Sequence, residues 1–173
     1  MIDITVFENS DLEAIKEIFF LSSSIQSFSS EDRKEAFFKR WCGDYITFYP
    51  DTFYVMKDSE SKKVLGYLSG CDNSAASLAK LAVPGHDTFK DLFDLYPAHF
   101  HINFHPDCRG RGLGSQLVGR YCQLLARKNI CGVHLITSPD ASNISFYRRS
   151  KFVFEDIRVF GKNQLLFMGL NLC

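Results

Sequence analysis

The sequence predicts one α/β domain that spans residues 1–173. The length of 173 residues is typical of a single domain. Hydrophobic residues make up 46% of the chain and aromatic residues 14%, which excludes a disordered protein. Segments with the two-residue periodicity of strands also alternate with segments that have the periodicity of helices.

Each element is predicted from the spacing of its apolar side chains. Strands are predicted where apolar and polar residues alternate, helices where apolar residues recur every three to four positions, and breaks where Ser, Pro or Gly cluster. In chain order this predicts a strand at 2–7, helices at 11–21 and 31–41 around a serine-rich break at 22–30, a hairpin of strands at 52–56 and 64–71, a connecting excursion at 73–97, a strand at 98–104, a helix at 113–128, a strand at 132–137, a helix at 142–150, and closing strands at 152–160 and 164–170. This order is that of a mixed α/β domain.

The charged residues are balanced overall but unevenly distributed. Lys and Arg number 20, as do Asp and Glu, which argues against nonspecific nucleic-acid binding as the main role. Residues 101–151 contain 8 basic and 2 acidic residues, whereas residues 1–100 contain 10 basic and 16 acidic residues. The basic segment indicates either an anion site or chance clustering on solvated faces.

Membrane and secretory features are absent from the sequence. No run of about 18 apolar residues is present, so we expect no transmembrane span and no membrane partner. The acidic N-terminal segment does not resemble a signal peptide. The six cysteines form no C-x-x-C pair or framework spacing, which predicts reduced thiols in a cytoplasmic protein.

The most informative motif is R-G-R-G-L-G at residues 109–114, here called the glycine loop. It joins a predicted strand to the long helix that begins at Leu113. Its glycines allow close approach of a ligand to the backbone, and the helix N-terminus offers N–H groups and partial positive charge. Together with the charges of Arg109 and Arg111, these features predict a pyrophosphate site.

Other interpretations of the glycine loop fit less well. A P-loop requires a Lys after its last Gly, and none is present. A dinucleotide-binding fold needs its glycines directly after the strand and an acidic residue about 20 positions later, and both features are missing. A glycine-rich turn with solvated arginines remains the alternative.

The glycine loop, which comes after a strand and His-Pro-Asp, resembles the R/Q-x-x-G-x-G/A motif of the GNAT superfamily of acyl-CoA-dependent N-acyltransferases. Residues 144–152, I-S-F-Y-R-R-S-K-F, are similar to the A-I-x-F-Y-x-x-x-G-F motif of that family. The predicted order of elements is also similar over nearly the whole chain. Residues 96–103 resemble, more narrowly, bacterial acetyltransferases related to the acetyltransferase-like domain of O-GlcNAcases.

The resemblance implies a GNAT-like fold with a central mixed, mostly antiparallel sheet flanked by helices on both faces. It also implies acetyl-CoA as cosubstrate. The glycine-loop N–H groups would hold the pyrophosphate, and the main chain of the preceding strand would pair with the pantetheine arm. The implied cofactor-binding residues are Ile102, Asn103, Phe104, Arg109, Gly110, Arg111, Gly112, Leu113, Gly114, Ser115, Asp140 and Asn143.

Two positions depart from the family pattern. Asp140 stands where the family usually has an Asn that contacts the cofactor arm, and an ionised Asp accepts hydrogen bonds but cannot donate them. We therefore expect a weaker contact there, or one made by Asn143 instead. Lys151 replaces the Gly that precedes Phe152, so the backbone conformation of that turn is in question.

Two residues are predicted to act in catalysis. Tyr147 matches the family tyrosine that protonates the departing thiolate, and a phenol with a pKa near 10 keeps its proton at neutral pH. The alternative is a core aromatic residue. His101 is predicted as the general base, although a structural, hydrogen-bonded histidine is an open alternative.

We expect no metal at these residues. His99, His101, His105 and Cys108 do not match a standard zinc spacing. No nucleophile motif is present either, which predicts direct attack without an acyl-enzyme.

The predicted function is acetyl-CoA-dependent N-acetyl transfer to a primary amine. The amine could belong to a small molecule or a protein, and the sequence carries no motif that identifies it. We expect residues 22–30 and 73–97 to line its pocket. The alternative is a non-catalytic GNAT-like module that binds CoA or a partner. No nucleic-acid partner is expected, and the oligomeric state is predicted as monomer or homodimer.

Overall fold

The computed structural model describes all 173 residues and contains seven strands and six α-helices. The strands are β1 (Ile2–Val6), β2 (Phe53–Asp58), β3 (Val64–Cys71), β4 (Ala98–Phe104), β5 (Gly132–Thr137), β6 (Phe154–Phe160) and β7 (Asn163–Asn171). The helices are α1 (Leu12–Ser22), α2 (Glu31–Phe38), α3 (Asp44–Phe48), α4 (Ser74–Leu81), α5 (Leu113–Arg127) and α6 (Ile144–Arg149). None of the helices has the length and apolar composition needed to span a lipid bilayer.

The strands form a mixed sheet in the order β1-β2-β3-β4-β5-β7-β6. The pairs β1–β2, β2–β3, β5–β7 and β6–β7 are antiparallel, and β4–β5 is parallel. The chain divides into two compact units. The first contains Met1–Gly70 and His101–Gly119, and the second contains Cys71–Phe100 and Arg120–Cys173. The predicted α/β class and the mostly antiparallel sheet are confirmed.

The first unit is built on β1, β2 and β3. All eight residues of β3 are buried, which explains its nearly continuous apolar sequence. Helix α1 begins after a capping box in which the Glu8 N–H donates to the Asp11 carboxylate over 3.1 Å. The same Asp11 carboxylate pairs with the ammonium of Lys57 at 2.8 Å, and both side chains are buried. This ion pair links the start of α1 to β2.

The second unit has an aromatic core. Phe89, Phe93 and Phe167 form a buried cluster, with Tyr96 and Phe154 packed against it. Residues 86–96 lie directly on the sheet, because a Cβ added at Gly132 would lie 2.1 Å from the Leu95 carbonyl oxygen. The predicted excursion at 73–97 is therefore a packed layer of α4 and a 3₁₀ helix rather than a loose connection.

The helix predicted at 31–41 continues further than its pattern indicates. Helix α2 passes into a π-helical turn, Lys39–Gly43, and then into α3. Within this segment Phe38, Cys42 and Tyr45 are buried, whereas Trp41 is partly exposed. A π turn breaks the periodicity on which helix prediction depends, so the sequence pattern ends too early.

The prediction of six reduced cysteines is wrong for one pair. Cys131 and Cys173 form a disulfide with a Cα–Cα distance of 5.0 Å, while Cys42, Cys71, Cys108 and Cys122 are free. The antiparallel register of β5 and β7 pairs Gly132 with Asn171 and so brings the two cysteines together. Their separation of 42 positions carries no sequence motif.

Candidate functional site

The glycine loop lies in the first unit, between β4 and α5. Gly110 and Gly112 have φ angles of 73° and 74°, in the left-handed region that favours glycine. A Cβ built at either position would meet no atom within 4 Å. The backbone conformation therefore favours glycine at both positions, and the space beside it is open to a ligand.

The loop ends at the N-terminus of α5, a helix of 15 residues. The Gln116 N–H donates to the Gly112 carbonyl over 3.4 Å, which leaves the N–H groups that precede it outside the regular helical ladder. These N–H groups and the positive end of the helix dipole favour an anion. The geometry fits the pyrophosphate that the sequence predicts at residues 110–115.

The two loop arginines differ in their contacts. Nε of Arg109 donates to the Phe104 carbonyl over 3.2 Å, and Nη2 donates to Oγ of Ser22 over 3.0 Å. Arg109 therefore links the glycine loop to the end of β4 and to the end of α1. Arg111 is exposed, and of the two it is the more available to a ligand.

The predicted residues of β4 form the next part of the site. Ile102, Asn103 and Phe104 are partly exposed. Nδ2 of Asn103 donates to Oη of Tyr67 over 2.8 Å, so this side chain is held against β3. Phe104 covers Gly66, where an added Cβ would lie 2.3 Å from the Phe104 ring. The side chains of Asn103 and Phe104 thus contact residues of β3 within the first unit.

A pocket of about 340 Å³ opens beside these residues in the first unit. It is lined by Phe19, Ser22, Ser23, Ser24, Ile25, Phe37, Trp41, His101 and Asn103. The lining contains serine and aromatic side chains and no carboxylate. Residues 22–25 of the serine-rich break belong to its lining, and no residue of 73–97 does.

His101 lies at the wall of this pocket. Its Nε2 is 3.0 Å from Oη of Tyr45, and its ring meets the Trp41 and Tyr45 rings edge-on at 6.1 and 5.4 Å. Burial lowers the pKa of His101 to about 4. The imidazole is therefore neutral at physiological pH, as a proton acceptor must be, but it is a weaker base than an ordinary histidine.

Tyr147 lies in α6 of the second unit and is 6% exposed. The rings of Phe100, Phe146 and Phe152 surround it with centroid distances of 6.4, 5.0 and 6.2 Å. Burial raises the pKa of Tyr147 well above its usual value, so the phenol keeps its proton at neutral pH. Nδ2 of Asn143 lies 3.5 Å from the phenol oxygen. Since the amide can only donate there, the phenol proton remains available to another acceptor.

The two departures from the family motif have clear local structures. Oγ of Ser138 donates to the Asp140 carboxylate. The Asp140 side chain is therefore hydrogen-bonded within its own turn. Lys151 adopts a φ of 73°, the left-handed conformation that the family glycine would take without strain. The Phe152 N–H donates to the Tyr147 carbonyl over 3.1 Å. The turn after α6 thus keeps its conformation despite the lysine.

The three histidines in and just after β4 have separate partners. His101 contacts Tyr45, Nδ1 of His105 accepts from the Asp107 N–H over 3.3 Å, and Nδ1 of His99 lies 2.7 Å from Oγ of Ser74. Sequence reasoning missed Tyr45, since its position depends on the π turn, and it missed Trp41 as a pocket residue for the same reason.

Solved structures show the same fold as this chain. SsHAT is 19% identical with a TM-score of 0.76, over 99% of this chain and 98% of that one. An N-acetyltransferase from Staphylococcus aureus Mu50 is 17% identical with a TM-score of 0.66, over 100% and 99% of the two chains. A GNAT superfamily phosphinothricin acetyltransferase from Sinorhizobium meliloti, in complex with AcCoA, is 16% identical with a TM-score of 0.60, over 98% and 88%.

The sequence also matches a family model. The model described as the acetyltransferase (GNAT) family covers residues 12–152, a range that includes the glycine loop, the pocket residues and α6. With this match over most of its length, the chain belongs to the GNAT acetyltransferase family.

Proposed function

We propose that this chain is an acetyl-CoA-dependent N-acetyltransferase that acetylates a primary amine by direct attack. The observation that carries the proposal is the glycine loop, where two left-handed glycines with open space beside them lead into a helix N-terminus. Family membership supports the reaction class, and a structural neighbour described with AcCoA supports the cosubstrate. The proposal takes residues 1–173 as one cytoplasmic acetyltransferase domain. Because Cys131 and Cys173 form a disulfide, this location no longer rests on reduced thiols.

The N–H groups from Gly110 to Ser115 would hold the pyrophosphate, with the charge of Arg111 added. The main chain of residues 102–104 would pair with the pantetheine arm as an added strand. Asn143 is better suited than Asp140 to donate a hydrogen bond to this arm, because the Asp140 carboxylate accepts from Ser138. When bound, acetyl-CoA supplies an activated acetyl group and a thiolate leaving group.

Tyr147 would stabilise the departing sulfur from its phenol oxygen. Its raised pKa makes complete proton transfer to a thiolate with a pKa of about 8.5 unfavourable. A hydrogen bond that strengthens as negative charge develops on sulfur requires no complete transfer. We therefore assign Tyr147 the role of hydrogen-bond donor with partial proton transfer, which places its contribution at the low end for a general acid.

His101 would receive the proton that the amine releases. Its low pKa keeps the imidazole neutral, but it makes His101 too weak a base to deprotonate a free alkylammonium ion. The proposed role is therefore to accept the proton after attack. At that point the amine nitrogen is bonded to the acyl carbon and is far more acidic than a free alkylammonium ion. Tyr45 fixes the ring through the 3.0 Å contact to Nε2.

The acceptor amine would enter the pocket formed by α1, residues 22–25, Trp41 and His101. Because aromatic and serine side chains line this pocket and no carboxylate does, it favours an amine on an uncharged, partly apolar body. A polyamine would bring additional cations that find no counter-charge there. The volume of about 340 Å³ suits a small molecule or a single side chain.

The proposal is tested first by calorimetry of acetyl-CoA binding to the purified chain. We expect a dissociation constant in the micromolar range or tighter. A panel of aromatic, aliphatic and polycationic amines, monitored through CoA release, then tests turnover and acceptor class. Aromatic or aliphatic monoamines should react faster than polyamines.

Each outcome has a definite meaning. The absence of acetyl-CoA binding would overturn the proposed function. Tight binding without turnover on any amine or peptide N-terminus would favour the non-catalytic module. Preference for polyamines would leave the reaction in place but reject the assignment of the acceptor pocket.

A further inference from the structure

The second unit contains a cluster of three buried histidines outside the site described above. His86 comes from the 3₁₀ helix after α4, His99 from β4 and His134 from β5. Their exposed fractions are 5%, 3% and 0%. One potential ligand nitrogen from each lies within 4.8 Å of the others.

We propose that His86, His99 and His134 form a structural binding site for a divalent transition-metal cation, with zinc as the expected ion. Three imidazoles that converge on one point are a donor set that zinc binds readily. Nε2 of His86 and Nε2 of His134 are 3.1 Å apart. Tetrahedral ligands at zinc–nitrogen distances of 2.0–2.1 Å are separated by about 3.3 Å, so this pair is spaced for one ion.

The hydrogen bonds around the cluster orient two of the rings as metal ligands. Nδ1 of His134 lies 2.7 Å from the Tyr96 carbonyl oxygen. A carbonyl can only accept, so Nδ1 carries the proton and Nε2 presents its lone pair. Nδ1 of His99 lies 2.7 Å from Oγ of Ser74, which can accept a hydrogen bond from Nδ1–H and so place the lone pair of this ring on Nε2. Outer partners of this kind typically fix metal-binding histidines.

The aromatic core holds the rings in place. His134 is stacked between Phe93 and Phe167, with centroid distances of 5.2 and 4.5 Å and interplanar angles of 11° and 21°. The His86 ring also packs against Phe93 at 4.9 Å. Packing and hydrogen bonding therefore both orient the His134 ring. Little conformational freedom is lost when an ion binds.

The 3.1 Å contact between His86 and His134 brings together two ring nitrogens that cannot both present lone pairs to each other. With Nε2 of His134 unprotonated, either the Nε2–H of a neutral His86 donates to it or one metal ion accepts both lone pairs. A metal ion would also engage His99, leaving a fourth position for water or hydroxide. Such an ion would tie residues 86–92 to β4 and β5 within the second unit.

The experiment begins with wild-type protein expressed in zinc-supplemented medium and purified without a metal-affinity tag. Mass spectrometric elemental analysis should find about one zinc per chain. His134→Gln should lose this zinc, whereas the control variant His105→Gln, a histidine outside the cluster, should keep it. Equal zinc content in the His134 and His105 variants would overturn the assignment to these residues.

Because His134 is fully buried, its variant could fail to fold, so the wild type provides a second measurement. The chain is unfolded with chelator and refolded with Co²⁺ or Zn²⁺. We expect stoichiometric Co²⁺ with the visible absorption bands of a tetrahedral site, and a thermal midpoint higher with Zn²⁺ than without metal. Folded protein with less than about 0.1 metal per chain after both treatments would overturn the proposal and favour a proton-linked imidazole network. Neither result depends on acetyltransferase activity.

Discussion

Two turns of this chain place glycine in the left-handed region with open space beside it, and they differ in the element that each turn leads into. In the first unit, Gly110 and Gly112 lead into the N-terminus of α5. In the second unit, Gly161 has a φ of 61° and also meets nothing within 4 Å of an added Cβ. It lies in the two-residue turn between Phe160 and Asn163, which pair directly across β6 and β7.

The difference shows that glycine conformation alone does not indicate a ligand site. A hairpin turn uses its left-handed glycine to reverse the chain, and the neighbouring backbone groups are paired across the strands. The glycine loop instead leaves the N–H groups of a 15-residue helix without partners in the ladder. We therefore propose the glycine loop as an anion site because donors lie next to open backbone there, and not because its φ angles are positive.

The largest expected effect tests the comparison of the two glycine turns. Gly112→Asp should weaken acetyl-CoA binding by at least about 100-fold, because a side chain and a negative charge enter the pyrophosphate site. Gly161→Asp imposes the same change on the same backbone conformation and should leave the affinity unchanged. Both variants should lose a similar free energy of unfolding, about 1 kcal/mol.

Calorimetry and chemical denaturation of the two variants provide the comparison. If Gly112→Asp and Gly161→Asp bound acetyl-CoA equally well, the loop would be an ordinary turn. If both lost affinity, the effect would come from general destabilisation.

A second prediction separates binding from turnover. Tyr147→Phe should lower kcat by about tenfold and leave KM and acetyl-CoA affinity near wild type, since the phenol acts only as the C–S bond breaks. Tyr121 is the matched control, because it is equally buried but its hydroxyl donates to the carbonyl oxygens of Cys71 and His99. Tyr121→Phe should cost about 1 kcal/mol of stability and leave kcat unchanged. Unchanged kcat in Tyr147→Phe would remove this residue from the mechanism.

A third prediction compares the pH dependence of the glycine loop with that of His101 in the pocket. In the proposed site the glycine loop binds the pyrophosphate through backbone and arginine groups, so the contribution of the loop to acetyl-CoA affinity should stay nearly constant between pH 5.5 and 8. The pKa of His101 is lowered to about 4 from an unfolded value of 6.5. Its contribution to stability is therefore complete above pH 6.5 and lost as pH falls through about 4.

Chemical denaturation of wild type and His101→Gln between pH 6.5 and about 4 measures the contribution of His101 to the free energy of unfolding. We expect the wild type to lose on the order of 1 kcal/mol more than the variant on acidification, allowing for the partial exposure of the ring. Parallel curves for the two proteins would show that His101 titrates normally.

The smallest effect concerns a third left-handed turn, at Lys151. Its φ of 73° strains a residue that carries a Cβ, so Lys151→Gly should raise the free energy of unfolding by about 0.5–1 kcal/mol. The thermal midpoint should rise by roughly 2–4 °C per kcal/mol for a chain of this size. Arg149→Gly, within α6, should have the opposite sign. A lower midpoint for Lys151→Gly would show that the lysine side chain stabilises the turn.

Local periodicity predicted most of the fold. The bounds of β3, β4 and β5 match the sequence pattern, because each of these strands is apolar or alternating and is followed by turn residues. Helix α5, predicted at 113–128, ends at Arg127, and Asn129 just beyond it adopts a φ of 58°. The helix at 31–41 was predicted too short, because its continuation through the π turn matches neither the helical nor the strand repeat.

The candidate site was predicted where its residues are adjacent in sequence and missed where they are distant. The glycine loop and residues 144–152 are short motifs. In the structure, left-handed glycines of the loop precede a helix, and residues 144–149 form α6. The partner of His101, Tyr45, is 56 positions away, and His86 and His134 are 48 positions apart. No local pattern records such contacts, nor the pairing of Cys131 with Cys173. They depend on strand register and helix continuation, which only the folded chain provides.

The interleaving of the two units has a consequence for how the polypeptide is made. Each unit consists of two separate stretches of the chain, and residues 1–100 contain neither unit in full. During translation the first unit cannot close until residue 119 has left the ribosome, and the second must wait for β7. Nascent chains of intermediate length will therefore expose apolar strands such as β3, and they are the species on which chaperones should act. A split into two fragments at residue 100 should likewise yield aggregates rather than two folded halves.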